Sequence, residues 1–239
     1  MKILTMIQGS PEWHAGRRCR LRSSDLDKLL TAVKAEPSKQ ADDFIDELLA
    51  EAVFLGPNYF SGNPNNKPPN PAMLEGVRRE PEARRWLCHD LDCEIQQVGM
   101  IVHDDSDCIG FNLWSASTDG LIVDKFGELA AVVELKCPLL ATQAKYVRKP
   151  EALLMQYRQQ VAGELIVSGL PLCYLCSYAP PLPPVRLEVR PDAYMERMHE
   201  VMAEFTQRYD EAMHKVLGYG IGQMLARLHP DDLYLQASS

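Results

Sequence analysis

The sequence predicts an α/β protein: a mixed central β-sheet flanked by helices, with helices ahead of the sheet and one long helix after it. Three observations carry this reading. Helical apolar spacing dominates the first part of the chain, a series of short extended segments follows, and then a helix alternates with further strands. The continuous apolar run Ala130-Ala131-Val132-Val133 suits a buried central strand. Beyond residue 190 the apolar residues return at helical spacing until Gly218 and Gly220. With 239 residues, 46% of them hydrophobic, the chain can form one sizeable core. We read 1–239 as a single domain, with an N-terminal helical part at 1–70, a core at 71–190, and a C-terminal helix and tail at 191–239.

The elements follow in order. Ser23-Ser24-Asp25 ahead of Leu26, Leu29 and Leu30 is a cap signal before a helical stripe. Phe44, Ile45, Leu48, Leu49 and Val53 define a helix at 40–53. Residues 56–71 are dense in Pro, Asn and Gly and form a long loop. A helix at 72–88 leads into extended segments at 94–103, 107–113, 116–123 and 129–137. A short helix at 143–149 precedes Pro150, which opens a helix that stops at Gly169. Strands at 172–178 and 185–189 flank the stiff Pro180-Pro181-Leu182-Pro183-Pro184 connector. The final helix spans 191–217, and residues 236–239 form a disordered tail.

Charge argues against a uniformly basic nucleic-acid binder, because 25 Lys and Arg face 33 Asp and Glu for a net charge of −8. Distribution matters more than the total. Residues 1–22 hold Lys2, Arg17, Arg18, Arg20 and Arg22 against the single acid Glu12, which fits either a solvated face or a local anion-binding face. The seven cysteines show no framework spacing, and Cys173-x-x-Cys176 lies in an apolar run that reads as core strand. His14, His89 and His103 have no metal-ligand spacing between them. Neither a signal peptide nor a membrane span is legible, so a reducing cytoplasmic setting is expected.

Chemistry concentrates at Asp119, Glu134 and Lys136. Glu134 and Lys136 lie two residues apart on a strand, so their side chains share one face. A carboxylate and an ammonium on a central strand are costly unless paired or metal-bound. Two carboxylates and a backbone carbonyl suit a hard cation such as Mg²⁺, and a neighbouring lysine can position water or neutralise a phosphate. These three residues alone fit a metal site and a structural ion pair equally well.

Wider motifs separate the two readings. Ser117-Thr118-Asp119-Gly120-Leu121 with Glu134-Leu135-Lys136-Cys137-Pro138 resembles the core signature of the lambda-type phage exonucleases, the YqaJ-like viral recombinase family of the PD-(D/E)xK nuclease superfamily. Gln8-Gly9-Ser10-Pro11-Glu12-Trp13-His14, Arg17 and Ser23-Ser24 resemble the family's N-terminal element. Gly76 and Glu80, with Ala83-Arg84 beyond, resemble its Gly-x-x-x-Glu helix, and Tyr157-Arg158-Gln159-Gln160-Val161 its Tyr-x-x-Gln helix. Three departures stand out. Thr118 replaces the usual proline before Asp119, Cys19-Arg20-Leu21-Arg22-Ser23-Ser24 replaces the usual Gly-x-Thr-Ala-Ser stretch, and Ala162 replaces the second glutamine of the Tyr-x-x-Gln-x-Gln pattern.

The resemblance implies a PD-(D/E)xK core and a 5′→3′ exonuclease acting on linear double-stranded DNA ends. It would release mononucleotides and leave 3′ single-stranded DNA for annealing-type recombination. By the same resemblance Asp119, Glu134 and the Leu135 carbonyl would hold metal, with Glu80 at a second ion. Lys136 would position the attacking water, and Gln160 would orient an active-site group or the phosphate. Arg17 and Ser24 would grip the 5′-terminal phosphate. Two Mg²⁺ ions, with Mn²⁺ as a substitute, a ring-shaped homotrimer, a single-strand annealing recombination protein as partner, and a phage or prophage origin in a bacterial cytoplasm are likewise implied. The rivals are an endonuclease on the same fold and a non-catalytic DNA-end-binding protein. Family relatives with iron–sulfur clusters use a C-terminal run of cysteines, and this chain has none after Cys176.

Overall fold

The computed structural model describes residues 1–53, 71–103 and 113–229. The loop expected at 56–71 lies outside these residues except for Pro71. So do the segment expected at 107–113, apart from Leu113, and the tail at 236–239. The described elements are β1 (Lys2–Leu4), α1 (Pro11–Gly16), β2 (Leu21–Arg22), a 3₁₀ turn (Ser23–Asp25), α2 (Leu26–Leu29), α3 (Ala41–Val53), α4 (Pro71–Leu91), β3 (Ile95–Gln96), β4 (Met100–Val102), β5 (Trp114–Ala116), β6 (Gly120–Val123), β7 (Leu129–Lys136), α5 (Leu140–Arg148), α6 (Glu151–Ser168), β8 (Cys173–Ser177), β9 (Val185–Val189), α7 (Ala193–Leu217) and α8 (Ile221–Leu228).

The expected mixed sheet has the order β3-β6-β7-β8-β9. Strand β7 pairs antiparallel with β6 and parallel with β8, with Glu134 opposite Leu175. Helices α5 and α6 make the crossover that a parallel pair requires. A second sheet, β1-β4-β5-β2, holds the chain's beginning against the middle. The extended segment expected at 94–103 is therefore two strands in different sheets, β3 and β4. The segment expected at 116–123 likewise divides, into the end of β5 and β6.

Of the three changes of sheet among the described strands, two are tight corners, between Gln96 and Met100 and between Ala116 and Gly120. Gln8 ties these two corners together: its Nε2 donates to the Val98 carbonyl (3.0 Å) and to the Thr118 carbonyl (2.7 Å). At the first corner a Cβ on Gly99 would lie 2.2 Å from the Met6 carbonyl oxygen, so only glycine allows β1 to pass. Asp119 stands at the second corner.

Alternation along β7 sorts its two faces. Ala131, Val133 and Leu135 join a cluster with Ala83 and Leu87 of α4. Val132 joins the larger cluster with Val161 and Leu165 of α6. Glu134 and Lys136 share the α6 face with Val132. Cys173 and Cys176 fall on opposite faces of β8, each fully buried as a free thiol, as the core reading expects. Asp192 caps α7 by accepting from the Met195 N–H at 3.1 Å, and Gly169 and Gly218 end α6 and α7 with φ of 68° and 77°. Two stretches differ from expectation. The stripe after Asp25 is a 3₁₀ turn and one helical turn, because Leu30 leaves as extended backbone that bridges Pro37. The chain also re-enters a helix, α8, after Gly220.

Candidate active site

The edge of β7 nearest α5 carries the site. Asp119 is fixed to it through backbone and side chain. Its N–H donates to the Val133 carbonyl (3.0 Å), and its Oδ2 accepts from the Leu135 N–H (2.6 Å). The corner between the two sheets therefore delivers a carboxylate beside Glu134 and Lys136. Lys136 Nζ bonds Glu134 Oε1 and donates to Gln160 Oε1 at 3.1 Å. Gln160 Nε2 donates to the same Glu134 oxygen at 2.6 Å. The Lys136 ammonium also lies 4.4 Å above the Tyr157 ring. Asp119, Glu134, Lys136 and Gln160, singled out from sequence, are thus one connected cluster.

Glu164 completes this cluster and was not singled out. It lies one helical turn beyond Gln160, has no solvent exposure, and accepts from Gln160 Nε2 at 3.0 Å. The available signal was an acid inside the apolar stretch Val161-Ala162-Gly163-Glu164-Leu165, four residues after a motif glutamine. Gln8 was noticed only as part of a motif, and nothing in the sequence forecasts its bridge between the two corners.

Glu80 approaches from α4. With Asp119, Arg84, Gln8, Gln97 and Trp13 it lines a cleft of about 600 Å³. Pro81, inside α4, has no N–H to return to the Val77 carbonyl, so the helical ladder is interrupted beside Glu80. Arg84 Nε donates to the Asp119 carbonyl (3.2 Å), and its terminal nitrogens reach the Gln97 side-chain oxygen (2.9 and 3.2 Å). Glu80 shares the cleft wall with Asp119, and its charge bears on the Asp119 carboxyl; among the described residues no three His, Cys, Asp or Glu side chains form a metal cluster.

The electrostatics are those of a site with surplus negative charge. Burial raises the Asp119 carboxyl well above its usual range, Glu134 adds to this, and the Leu135 N–H opposes it. Burial and Glu134 likewise hold Glu164 well up. Glu80 is raised by burial, which outweighs the pull of Arg84. Burial works to lower Lys136, but Glu134 and Asp119 more than reverse it, so the ammonium is retained. Glu134 Oε2 and Glu164 Oε2 are buried without a hydrogen-bond partner. Oxygen donors, an orphaned carboxylate oxygen and uncompensated negative charge all fit a hard dication.

Arg17 belongs to a second, cationic patch. Its guanidinium stacks 4.0 Å above Trp13, whose indole N–H donates to the Gly99 carbonyl (2.9 Å) at the first corner. Trp13 thus connects Arg17 to the cleft. Arg17 Nε is buried without a partner, and burial together with nearby Arg22 brings its pKa down to about 10. Arg22 pairs with Asp25. Cys19, between them, takes a positive φ of 56° and donates its N–H to Glu51 (3.1 Å). The arginines do not form a solvated face: Arg20 is 2% exposed and donates to the Gly16 carbonyl. Ser24 is exposed on the 3₁₀ turn, whereas Ser23 is buried and packs toward Gly163 of α6. His14 and His89 are exposed and His103 is buried, all away from this cluster of carboxylates.

A central strand that ends in Glu-x-Lys, with an Asp delivered from the preceding hairpin and helices on both faces, is the PD-(D/E)xK fold. The chain belongs to the YqaJ-like viral recombinase family, whose domain model matches residues 12–171. It is similar in structure to LHK-Exo, an alkaline exonuclease from Laribacter hongkongensis. The dAMP complex of that protein shares 23% identity over 87% of this chain and 96% of that one, with a TM-score of 0.64. A second LHK-Exo structure gives 21% identity over 87% and 99% of the two chains, at 0.61. A phage-related exonuclease from Haemophilus somnus 129PT gives 12% identity over 82% and 96%, at 0.57. No curated protein matches the chain. Among the described residues no helix is long and apolar enough to cross a membrane.

Proposed function

We propose that this protein is a metal-dependent exonuclease that degrades one strand of linear double-stranded DNA from its 5′ end. It releases mononucleotides and leaves a 3′ single strand for annealing-type recombination. The observation that carries this reading is the Asp119–Glu134–Lys136–Gln160 cluster at the end of β7, in a chain of the viral recombinase family.

Asp119 Oδ, Glu134 Oε2 and the Leu135 carbonyl would hold one Mg²⁺, and Glu80 across the cleft would serve a second ion or its water. Bound there, the ions would polarise the phosphodiester, acidify the attacking water and stabilise the leaving 3′-oxygen. Mn²⁺ offers the same oxygen-seeking chemistry.

Lys136 is a donor in this scheme. Its charge is held by Glu134, and two of its three N–H groups are engaged by Glu134 and Gln160. The third is left for the attacking water or a phosphate oxygen. Gln160 fixes the ammonium by accepting from it while donating to Glu134. The cleft supplies the place for a terminal nucleotide, and dAMP bound by LHK-Exo is of the product class this reading requires.

Direction would come from Arg17 and Ser24. A half-buried guanidinium with a buried, unpartnered Nε, depressed by burial and a second arginine, gains from an anion that neutralises both. A 5′-phosphate gripped there would fix the first phosphodiester over Asp119 and Glu134. A ring-shaped homotrimer and a single-strand annealing protein as partner belong to the same proposal, by family likeness.

The test compares 5′-phosphorylated and 5′-hydroxyl linear duplexes with covalently closed circles, all in Mg²⁺. Release of mononucleotides from linear DNA with a preference for the phosphorylated end is expected, and circles stay intact. Nicking of circles would point to the endonuclease alternative. Absence of any release would leave an end-binding protein.

A further inference from the structure

Between Lys136 and Glu151 the chain contains Lys145, Arg148 and Lys149 and no acid, in a chain of net charge −8. These three residues are exposed. Lys145 and Arg148 are i and i+3 on one face at the end of α5, and Lys149 follows as its C-cap residue with non-helical backbone. None has an ion-pair partner among the described residues. Several other exposed arginines are paired: Arg78 with Glu75, Arg190 with Glu188, Arg197 with Glu200 and Arg208 with Asp42. What sets Lys145, Arg148 and Lys149 apart is that three exposed cations without an ion pair stand together within five residues, with no acid among them.

The opposite face of α5 is locked to the active-site layer. Gln143, fully buried, donates to the Pro183 carbonyl at 2.7 Å and to the Ser177 carbonyl at 3.3 Å. Tyr146 is 2% exposed and packs at Tyr157, the ring beneath the Lys136 ammonium. A tyrosine–tyrosine hydrogen bond and a cation–π contact thus connect α5 to Lys136. Helix α5 also follows β7 directly, so the cations stand on a rigid extension of the strand that carries Glu134 and Lys136.

We infer that the Lys145–Arg148–Lys149 cluster is a phosphate-backbone track that holds the DNA duplex beside the active site, separately from the Arg17 patch. This rests on the nuclease reading. The occupant is duplex DNA because three exposed cations at the end of α5 match a polyanion with regularly spaced charges. The track would position the duplex, and so govern binding and not the chemical step.

The test uses the full-length triple variant Lys145→Gln, Arg148→Gln, Lys149→Gln. Binding to a 5′-phosphorylated linear duplex is followed by fluorescence anisotropy in EDTA, over a range of salt. Each lost phosphate contact removes about 0.9 from the slope of log K against log salt, so a loss of about 2–3 is expected. In Mg²⁺, KM should rise roughly tenfold or more while kcat is kept within about twofold. Arg190→Gln with Arg197→Gln, on paired surface positions, should leave the slope unchanged. If the triple variant lowers only the melting temperature, the cations merely complement the carboxyl end of α5 and the inference is overturned. An equal slope loss in the control pair would overturn it too, as a bulk charge effect. A wild-type chain that binds no linear duplex would remove the nuclease reading itself, and the inference with it.

Discussion

Gln160 and Glu164 are joined across one turn of α6: the Gln160 amide nitrogen donates to Glu164 at 3.0 Å and to Glu134 at 2.6 Å. Both amide protons are used, so the carbonyl end of Gln160 must face Lys136. Glu164 therefore sets which end of the amide meets the lysine. Glu164→Ala should lower kcat about tenfold, the equivalent of ~1.4 kcal/mol, with little change in KM. Glu164→Gln keeps an acceptor for Gln160 and should retain most activity. In a Gln160→Ala background, Glu164→Ala should cost nothing further in kcat. Additive losses in that cycle would show that Glu164 acts only through general stability.

Lys136 is held as a cation by Glu134, against the effect of burial. Its proposed role is to donate, and on that proposal phosphate binding elsewhere does not depend on it. Lys136→Ala should reduce cleavage by about 10³-fold or more, the scale of a lost transition-state donor, while the affinity for linear duplex in EDTA changes less than threefold or so. Single-turnover cleavage and anisotropy measure the two separately. Cleavage at near wild-type rate would remove Lys136 from the mechanism.

The surplus carboxylates should make the metal-free fold sensitive to alkali. Asp119 and Glu164 have folded-state values well above their unfolded ones of 3.8 and 4.5. At pH below the unfolded values both states are protonated and nothing is lost. As pH rises, the unfolded chain ionises freely while the folded one resists, so stability falls until the folded values are passed. The melting temperature in EDTA should decline as pH rises above these unfolded values. Asp119→Asn should reduce that decline, at about 2–4 °C per kcal/mol for a chain of this size. Mg²⁺ should restore the wild type at the alkaline end and have little effect on the variant. Parallel pH profiles with and without the substitution would rule out Asp119 as a source of this strain.

Some of this site is readable in the sequence because strand geometry is local. The apolar run before Glu134 and the two-residue spacing to Lys136 place both groups on one face of β7 without tertiary knowledge. Asp119 is readable only as a motif, since its position depends on a corner that Gln8 and Gly99 build from distant parts of the chain. The second sheet is silent because β1, β2, β4 and β5 are two or three residues long, too short to show alternation. Glu164 resembles any helical acid until α6 is packed against β7. Arg20 resembles a surface cation until its guanidinium is buried on Gly16. Periodicity reports which face of an element is apolar, but not which polar residues a close-packed neighbour will enclose.

The same helix that carries Gln160 and Glu164 also supports the Arg17 patch, through Gly163. A Cβ at Gly163 would lie 2.2 Å from Leu26 Cδ1, 3.1 Å from Ser23 Cβ and 3.3 Å from Ser23 Cα. The 3₁₀ turn bearing Ser23 and Ser24 therefore rests directly on α6, the helix that carries Gln160 and Glu164. Leu26 is fully buried and Ser23 nearly so, leaving neither an easy path outward. Gly163→Ala should destabilise the fold by about 1–3 kcal/mol, the usual penalty for overpacking. The forced shift should fall on the turn, because β7 and β8 hold the other side of α6 in the sheet. The preference for 5′-phosphorylated over 5′-hydroxyl ends should then drop severalfold, while cleavage of the hydroxyl end changes by about the same factor as the folded fraction. Paired rate measurements on the two ends, with a melting curve for each protein, separate these effects. An unchanged end preference in a destabilised variant would mean that the turn tolerates displacement and that Arg17 alone sets direction.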